Sequence, residues 1–145
     1  MAQKVQNFEN HTRLFPPFHF IAFPIFILNF IWSIVRVIRH PSYEAGLSVL
    51  VAFALVVFAI SARIFALTVQ DRVIRLEMRL RMQQLLPADL RSRISEFEVG
   101  QLIALRFASD SELPDLARKV LQDKITDRAA IKKMVRSWQA DFLRA

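Results

Sequence analysis

The sequence predicts an all-α protein: a transmembrane helical hairpin whose second helix extends into the cytoplasm, followed by a small helical C-terminal tail. Three observations predict it. Two long apolar runs lie in the first half, and the charged residues crowd into the second. Residues 1–70 hold five Lys/Arg and two acids, against fifteen and eleven in residues 71–145. The chain of 145 residues is 54% hydrophobic, with thirteen Phe and two Gly, which suits helices in lipid better than a small turn-rich sandwich. The composition break near Gln70 gives three regions. These are an N-terminal cytoplasmic or interfacial segment 1–17, a hairpin 18–70 with spans about 18–38 and 47–70, and a basic cytoplasmic tail 71–145.

The first run, Phe18 to Val35, contains no Lys, Arg, Asp or Glu. At ~1.5 Å per residue it crosses a hydrocarbon core of about 30 Å with help from its flanks. Pro16 and Pro17 stand where a helix tolerates proline, at its start. Pro24 lies inside and predicts a modest kink. Arg36 and Arg39 follow the run and snorkel to the interface, and Trp32 lies near the same end.

The second run, Leu47 to Gln70, carries one charge, Arg63, in its last third, where the side chain reaches the headgroups. Between the runs, residues 39–46 include Pro41 and Gly46 and make a tight turn, so the spans are antiparallel neighbours. Arg36 and Arg39 flank the turn. Lys4, Arg13, Arg72, Arg75, Arg79 and Arg81 lie on the other side. The excess of basic residues places both termini in the cytoplasm. The first run starts too late and is too long for a cleaved leader.

The second span is expected to continue past the interface, since no Pro or Gly interrupts residues 47–86, a helix of about 60 Å. Ser48, Ala52, Leu55, Ala59, Ala62, Ala66, Val69, Val73, Leu76 and Leu80 follow one another at steps of four and three. The stripe is mostly small residues inside the lipid and large apolar ones beyond it. Small residues let helices approach closely in a bilayer, and large ones supply association energy in water. The stripe is read as a packing surface for the first span, a second copy or another protein. Beside it, Arg72, Arg75 and Arg79 share a face that suits anionic headgroups or an acidic partner, or is a solvated stop-transfer row.

In the tail, Pro87 ends the long helix. Two capping-box patterns follow, Ser95 to Glu98 opening a helix to about Phe107, and Ser109 to Glu112 opening one to about Asp123. Thr126 is the expected N-cap of a last helix through Trp138. Leu113, Leu116, Val120 and Leu121 share one apolar face, and Ile131, Met134, Val135 and Trp138 share another. So small a module is marginal unless the long helix, the bilayer or a partner completes it.

Candidate chemistry is sparse. With no Cys there are no disulfides or thiolate metal sites. Gly46 and Gly100 alone cannot form a glycine-rich phosphate loop. His11, His19 and His40 show no metal-binding spacing. Asn29 and Arg63 are the intramembrane polar residues, and six Phe between Phe15 and Phe30 suit lipid or helix contacts. Acids interleave with the bases of the tail, against nucleic-acid binding.

At Gln6, Asn7, Phe8, Asn10, His11 and Arg13, then Pro17, His19 and Phe20, the chain resembles an uncharacterised family of small bacterial two-helix membrane proteins. The stretch from Gln101 to Asp110, with Ile131, Lys132, Lys133 and Trp138, resembles that family's tail. The resemblance implies the bacterial inner membrane and no particular activity. The expected function is therefore that of a non-enzymatic accessory or scaffold subunit. It needs no cofactor, contacts membrane lipids, and associates with itself or a larger membrane complex. The alternatives are an oligomeric channel or transport component lined by Asn29 and Arg63, or a membrane-enzyme subunit holding a cofactor near His19.

Overall fold

The computed structural model describes residues 6–10 and 14–141. Among them the protein forms six α-helices and no strand: α1 (Phe23–Arg39), α2 (Tyr43–Leu85), α3 (Ala88–Arg91), α4 (Val99–Leu105), α5 (Leu113–Gln122) and α6 (Arg128–Met134). They belong to two compact units, a hairpin from Leu14 to Leu67 and a helical module that joins the N-terminal residues 6–10 to the chain from Thr68 onward. α2 contributes to both.

In the hairpin, a π-helical turn, Pro17–Ala22, leads directly into α1. Its cause is Pro24. Proline has no N–H for the carbonyl four residues back, and the backbone relaxes by widening the turn before it. The Phe23 N–H accordingly bonds to the Phe18 carbonyl, five residues back.

The turn between the helices is shorter than the sequence suggested. α2 starts at Tyr43, four residues earlier than the apolar run, because the Ser42 hydroxyl caps it by accepting from the Ala45 N–H at 3.1 Å. Gly46 lies inside the first turns, where the helix has no need of its flexibility. Ser33 of α1 and Ala45, Ala52 and Ala59 of α2 are buried, and Phe30 and Phe53 meet with ring centroids 5.9 Å apart. The π-turn with α1, Pro17–Arg39, and α2, Tyr43–Leu85, are each long and apolar enough to cross a membrane. Their most apolar windows bury only 6% and 11% of their residues within the protein.

The module folds around Ile74, Met78, Met82 and Leu86. Leu90, Phe97, Leu102, Leu105, Leu113, Val120 and Ile131 close over them. The long helix is therefore a wall of the tail's own core, which answers the shortage of apolar area in the three short helices.

The three caps fall elsewhere than the sequence patterns suggested. α4 opens at a capping box of Glu98 and Gln101, three residues after Ser95. Ser95 is instead in a 3-10 turn (Ile94–Glu96), closed by the Arg93–Glu96 ion pair, which sets Phe97 into the core. Glu112 is the N-cap residue of α5 but makes no side-chain cap. Its carboxylate accepts from the backbone N–H groups of Arg136 and Ser137. Asp127, not Thr126, caps α6, accepting from Ala129 and Ala130. α6 also stops at Met134, because the chain turns extended at Val135 and carries Trp138 onto Phe107.

Candidate functional site

Within the module, residues 68–85 of α2 carry two apolar faces. At ~100° of rotation per residue, Val69, Val73, Leu76 and Leu80 fall within a sector of about 60°. Ile74, Met78 and Met82 fall on the other side of the helix, roughly 165° away. The second face is covered: Ile74 is 6% exposed, Met78 3% and Met82 0%. The first is open, with Val69 59% exposed, Val73 48%, Leu76 62% and Leu80 53%. A helix that is apolar on two opposite sides and covered on one has an unpartnered surface.

This locates each member of the predicted stripe. Ala52 and Ala59 are buried in the hairpin and Ser48 is half-buried. Leu55, Ala62 and Ala66 are exposed, and the large residues from Val69 onward are exposed as well. Ile74, Met78 and Met82 form the core face of the module that sequence reasoning missed. Their spacing of four, continued at Leu86, was a legible signal that the four-and-three stripe overshadowed.

Of the arginine row, Arg72 and Arg75 are exposed. Arg79 is half-buried, and among the described residues its Nε has no hydrogen-bond acceptor. Arg81, one of the basic residues that set the expected topology and spaced i,i+4 from Glu77, is the module's latch and pairs with Asp110 instead. Its Nε donates to Asp110 Oδ1 at 2.8 Å, and its Nη2 donates to the Ala108 carbonyl at 2.6 Å and to Gln139 Oε1 at 2.8 Å. Its Nη1 donates to the Arg106 carbonyl at 3.2 Å. A guanidinium fork can serve all four acceptors at once.

Beneath the latch, Phe107 and Trp138 stack with centroids 4.5 Å apart. The Arg106 guanidinium lies 4.5 Å over the Phe107 ring and pairs with Asp141 at 3.2 Å. The Gln6 Oε1 accepts from the Asp141 N–H at 2.8 Å, tying the N-terminal segment to the tail. A groove of about 680 Å³ near α5 and the end of α6 is lined by Glu112, Asp115, Lys119, Lys133 and Arg136. Its Glu112 carboxylate is committed to backbone N–H groups.

In the hairpin, Asn29 is exposed and lines a groove of about 400 Å³ with Ser33, Glu44, Leu47, Ser48 and Val51. The Ser33 and Ser48 hydroxyls are spent on carbonyls of their own helices, at 2.8 Å each. Arg63 is half-buried and lies outside this groove. His19 Nδ1 sits 2.9 Å from the Phe15 carbonyl oxygen and 3.1 Å from the Phe15 nitrogen, at the start of the π-turn. That ring nitrogen is engaged locally. His40 is exposed at the hairpin turn, and His11 lies outside the described residues. No group of three or more His, Asp or Glu side chains that could hold a metal ion occurs among the described residues.

The model of a family of unknown function, DUF6526, matches residues 1–145, the whole chain. No curated protein and no solved structure matches it.

Proposed function

For a chain that belongs to the DUF6526 family of unknown function, we propose the role of a membrane-anchored, non-enzymatic scaffold that assembles through the long helix α2. The open face Val69, Val73, Leu76 and Leu80 carries this reading. It is apolar, and it lies on the side of α2 away from the module's own core. Burying four such side chains against another helix returns about 25 cal/mol for each Å² removed from water.

The anchoring half of the proposal rests on apolar content without burial. A core helix of a soluble protein hides most of its surface, whereas the windows in α1 and α2 hide 6% and 11%. Lipid is the solvent that suits such surfaces. The excess of Lys and Arg away from the hairpin turn supports a topology with both termini on the cytoplasmic side. Arg72 and Arg75, exposed where the apolar run ends, then meet anionic headgroups, each worth about 1 kcal/mol near the surface.

Membrane fractionation of the full chain tests the anchor. Retention in the pellet after alkaline wash, and release only by detergent, is expected. Recovery in the soluble fraction overturns the reading. Native mass measurement of the detergent-solubilised chain tests the scaffold role, with species larger than one chain expected.

A second reading, a transport component, is favoured by the groove in the hairpin, where Asn29 and Glu44 stand among Ser33, Leu47, Ser48 and Val51. Its test is ion flux through reconstituted vesicles, abolished by Asn29→Leu.

A further inference from the structure

The partner of the open face is identifiable from the charges beside it. Val73 and Leu80 occupy a positions of a heptad, and Val69 and Leu76 occupy d positions. Val73 at a followed by Leu76 at d is the pair that favours two strands, whereas Val69 at d and Leu80 at a do not follow that pattern, so the choice of partner rests on the flanking charges. In that register Arg72 is at g and Glu77 at e. Each lies about 70° from the centre of the apolar face, on opposite sides. Both are exposed, and among the described residues neither forms an ion pair within the chain.

In a parallel two-stranded coiled coil, the g residue of one helix faces the e residue five positions later on the other. Five positions after Arg72 is Glu77. Two copies set side by side therefore form two symmetric Arg72–Glu77 pairs across the seam. An antiparallel arrangement brings g against g and e against e, so that arginines oppose arginines and Glu77 opposes itself. Two copies inserted in one membrane with the same sidedness present α2 in parallel, the orientation the charges require. The covered face, Ile74, Met78 and Met82, lies on the far side of α2, so the module's own core packs away from the seam, while Glu77 borders a groove shared with Arg106 and Asp141.

We propose that residues 69–80 of α2 form a parallel homodimer seam with a second copy of this chain, registered by reciprocal Arg72–Glu77 pairs. This rests on the membrane-anchored reading above. The seam covers about two heptads, short for a coiled coil in water. Confinement to the bilayer plane raises the effective concentration of the second strand and favours association.

The chain lacks Cys, which makes cross-linking a clean test. The full chain is reconstituted at low protein-to-lipid ratio in vesicles of phosphatidylethanolamine and phosphatidylglycerol, then oxidised. Leu76→Cys, in the seam, is expected to yield disulfide dimers, and Arg75→Cys, exposed outside it, to remain monomeric. With Leu76→Cys as the reporter, Glu77→Arg is expected to lower the dimer yield about five- to tenfold by setting Arg against Arg. Adding Arg72→Glu is expected to restore it. Equal cross-linking at both cysteine positions, or no rescue by the double exchange, overturns the proposal. A vesicle-bound chain that stays monomeric overturns the seam and leaves the anchor standing. A chain that does not enter vesicles overturns both.

Discussion

The Arg81 guanidinium rests on the Asp110 carboxylate, with Nη2 2.6 Å from Oδ1, yet the two ends of this pair are unequal. The Arg81 side chain is 20% exposed and that of Asp110 is 67% exposed. Water competes for the carboxylate, so the ion pair itself is worth well under about 1 kcal/mol. The carbonyls of Ala108 and Arg106 depend on the same guanidinium, and they are less easily reached by solvent. Asp110→Asn is therefore expected to change module stability by less than about 0.5 kcal/mol. Arg81→Met is expected to cost about 2 kcal/mol, because the carbonyls lose their donor. Near-UV circular dichroism of the full chain in detergent, melted thermally, measures both. Equal losses for the two variants contradict the assignment.

Lys124 holds φ at 48°, the left-handed region, where α5 ends. The Ile125 N–H bonds back to the Val120 carbonyl at 3.0 Å, so the helix closes in a Schellman motif with lysine at the position glycine favours. An L side chain pays about 1 kcal/mol there, and glycine does not. Lys124→Gly is expected to stabilise the module by about 0.5–1 kcal/mol, net of the added freedom of the unfolded chain. Lys124→Ala leaves the strain in place and gives no such gain. The same thermal melts distinguish the two.

The Arg93–Glu96 pair closes the 3-10 turn that delivers Phe97 to the core. The hydrogen bond from Arg93 holds the Glu96 carboxyl below the ordinary glutamate range, with partial desolvation opposing it and the arginine's charge adding to the lowering. A carboxyl lowered on folding contributes stability that is present above its unfolded value and is lost as pH falls through the folded value. NMR titration is expected to find Glu96 titrating below the ordinary glutamate range. Arg93→Gln returns it to the ordinary range. Both groups are well solvated, so the pair is expected to shift the pH at which the turn loosens and to leave stability at neutral pH nearly unchanged.

The parts of the fold set by long hydrophobic runs were legible in the sequence. The two apolar helices, the uninterrupted second helix and the apolar face of α5 each repeat a signal over several turns. The caps were harder. Ser95, Glu112 and Thr126 sit in acceptable local patterns, but tertiary demands chose otherwise: Phe97 had to enter the core, and Glu112 found the backbone of Arg136 and Ser137. Arg81 was equally opaque. Its acceptors lie between 25 and 58 residues away, and no local pattern announces a latch of that kind. The stripe on α2 was read in one piece, whereas the fold covers Ala52 and Ala59 and leaves Ala62, Val69 and Leu76 open.

That division makes Ala59 and Ala62 separable. Ala59 is 4% exposed within the hairpin, and a larger side chain there has no free volume to enter. Ala59→Leu is expected to cost about 1–3 kcal/mol by forcing the hairpin helices apart. Ala62 is exposed, so Ala62→Leu leaves the hairpin intact. Where small residues bring two membrane helices into close contact, bulk at that point weakens association, as in any small-residue interface in lipid. Energy transfer between labelled copies in vesicles is expected to fall several-fold for Ala62→Leu, while an intramolecular label pair reporting the hairpin stays unchanged. Ala59→Leu moves the intramolecular pair first. If Ala62→Leu leaves transfer between copies intact, association ends where the large residues begin, at Val69.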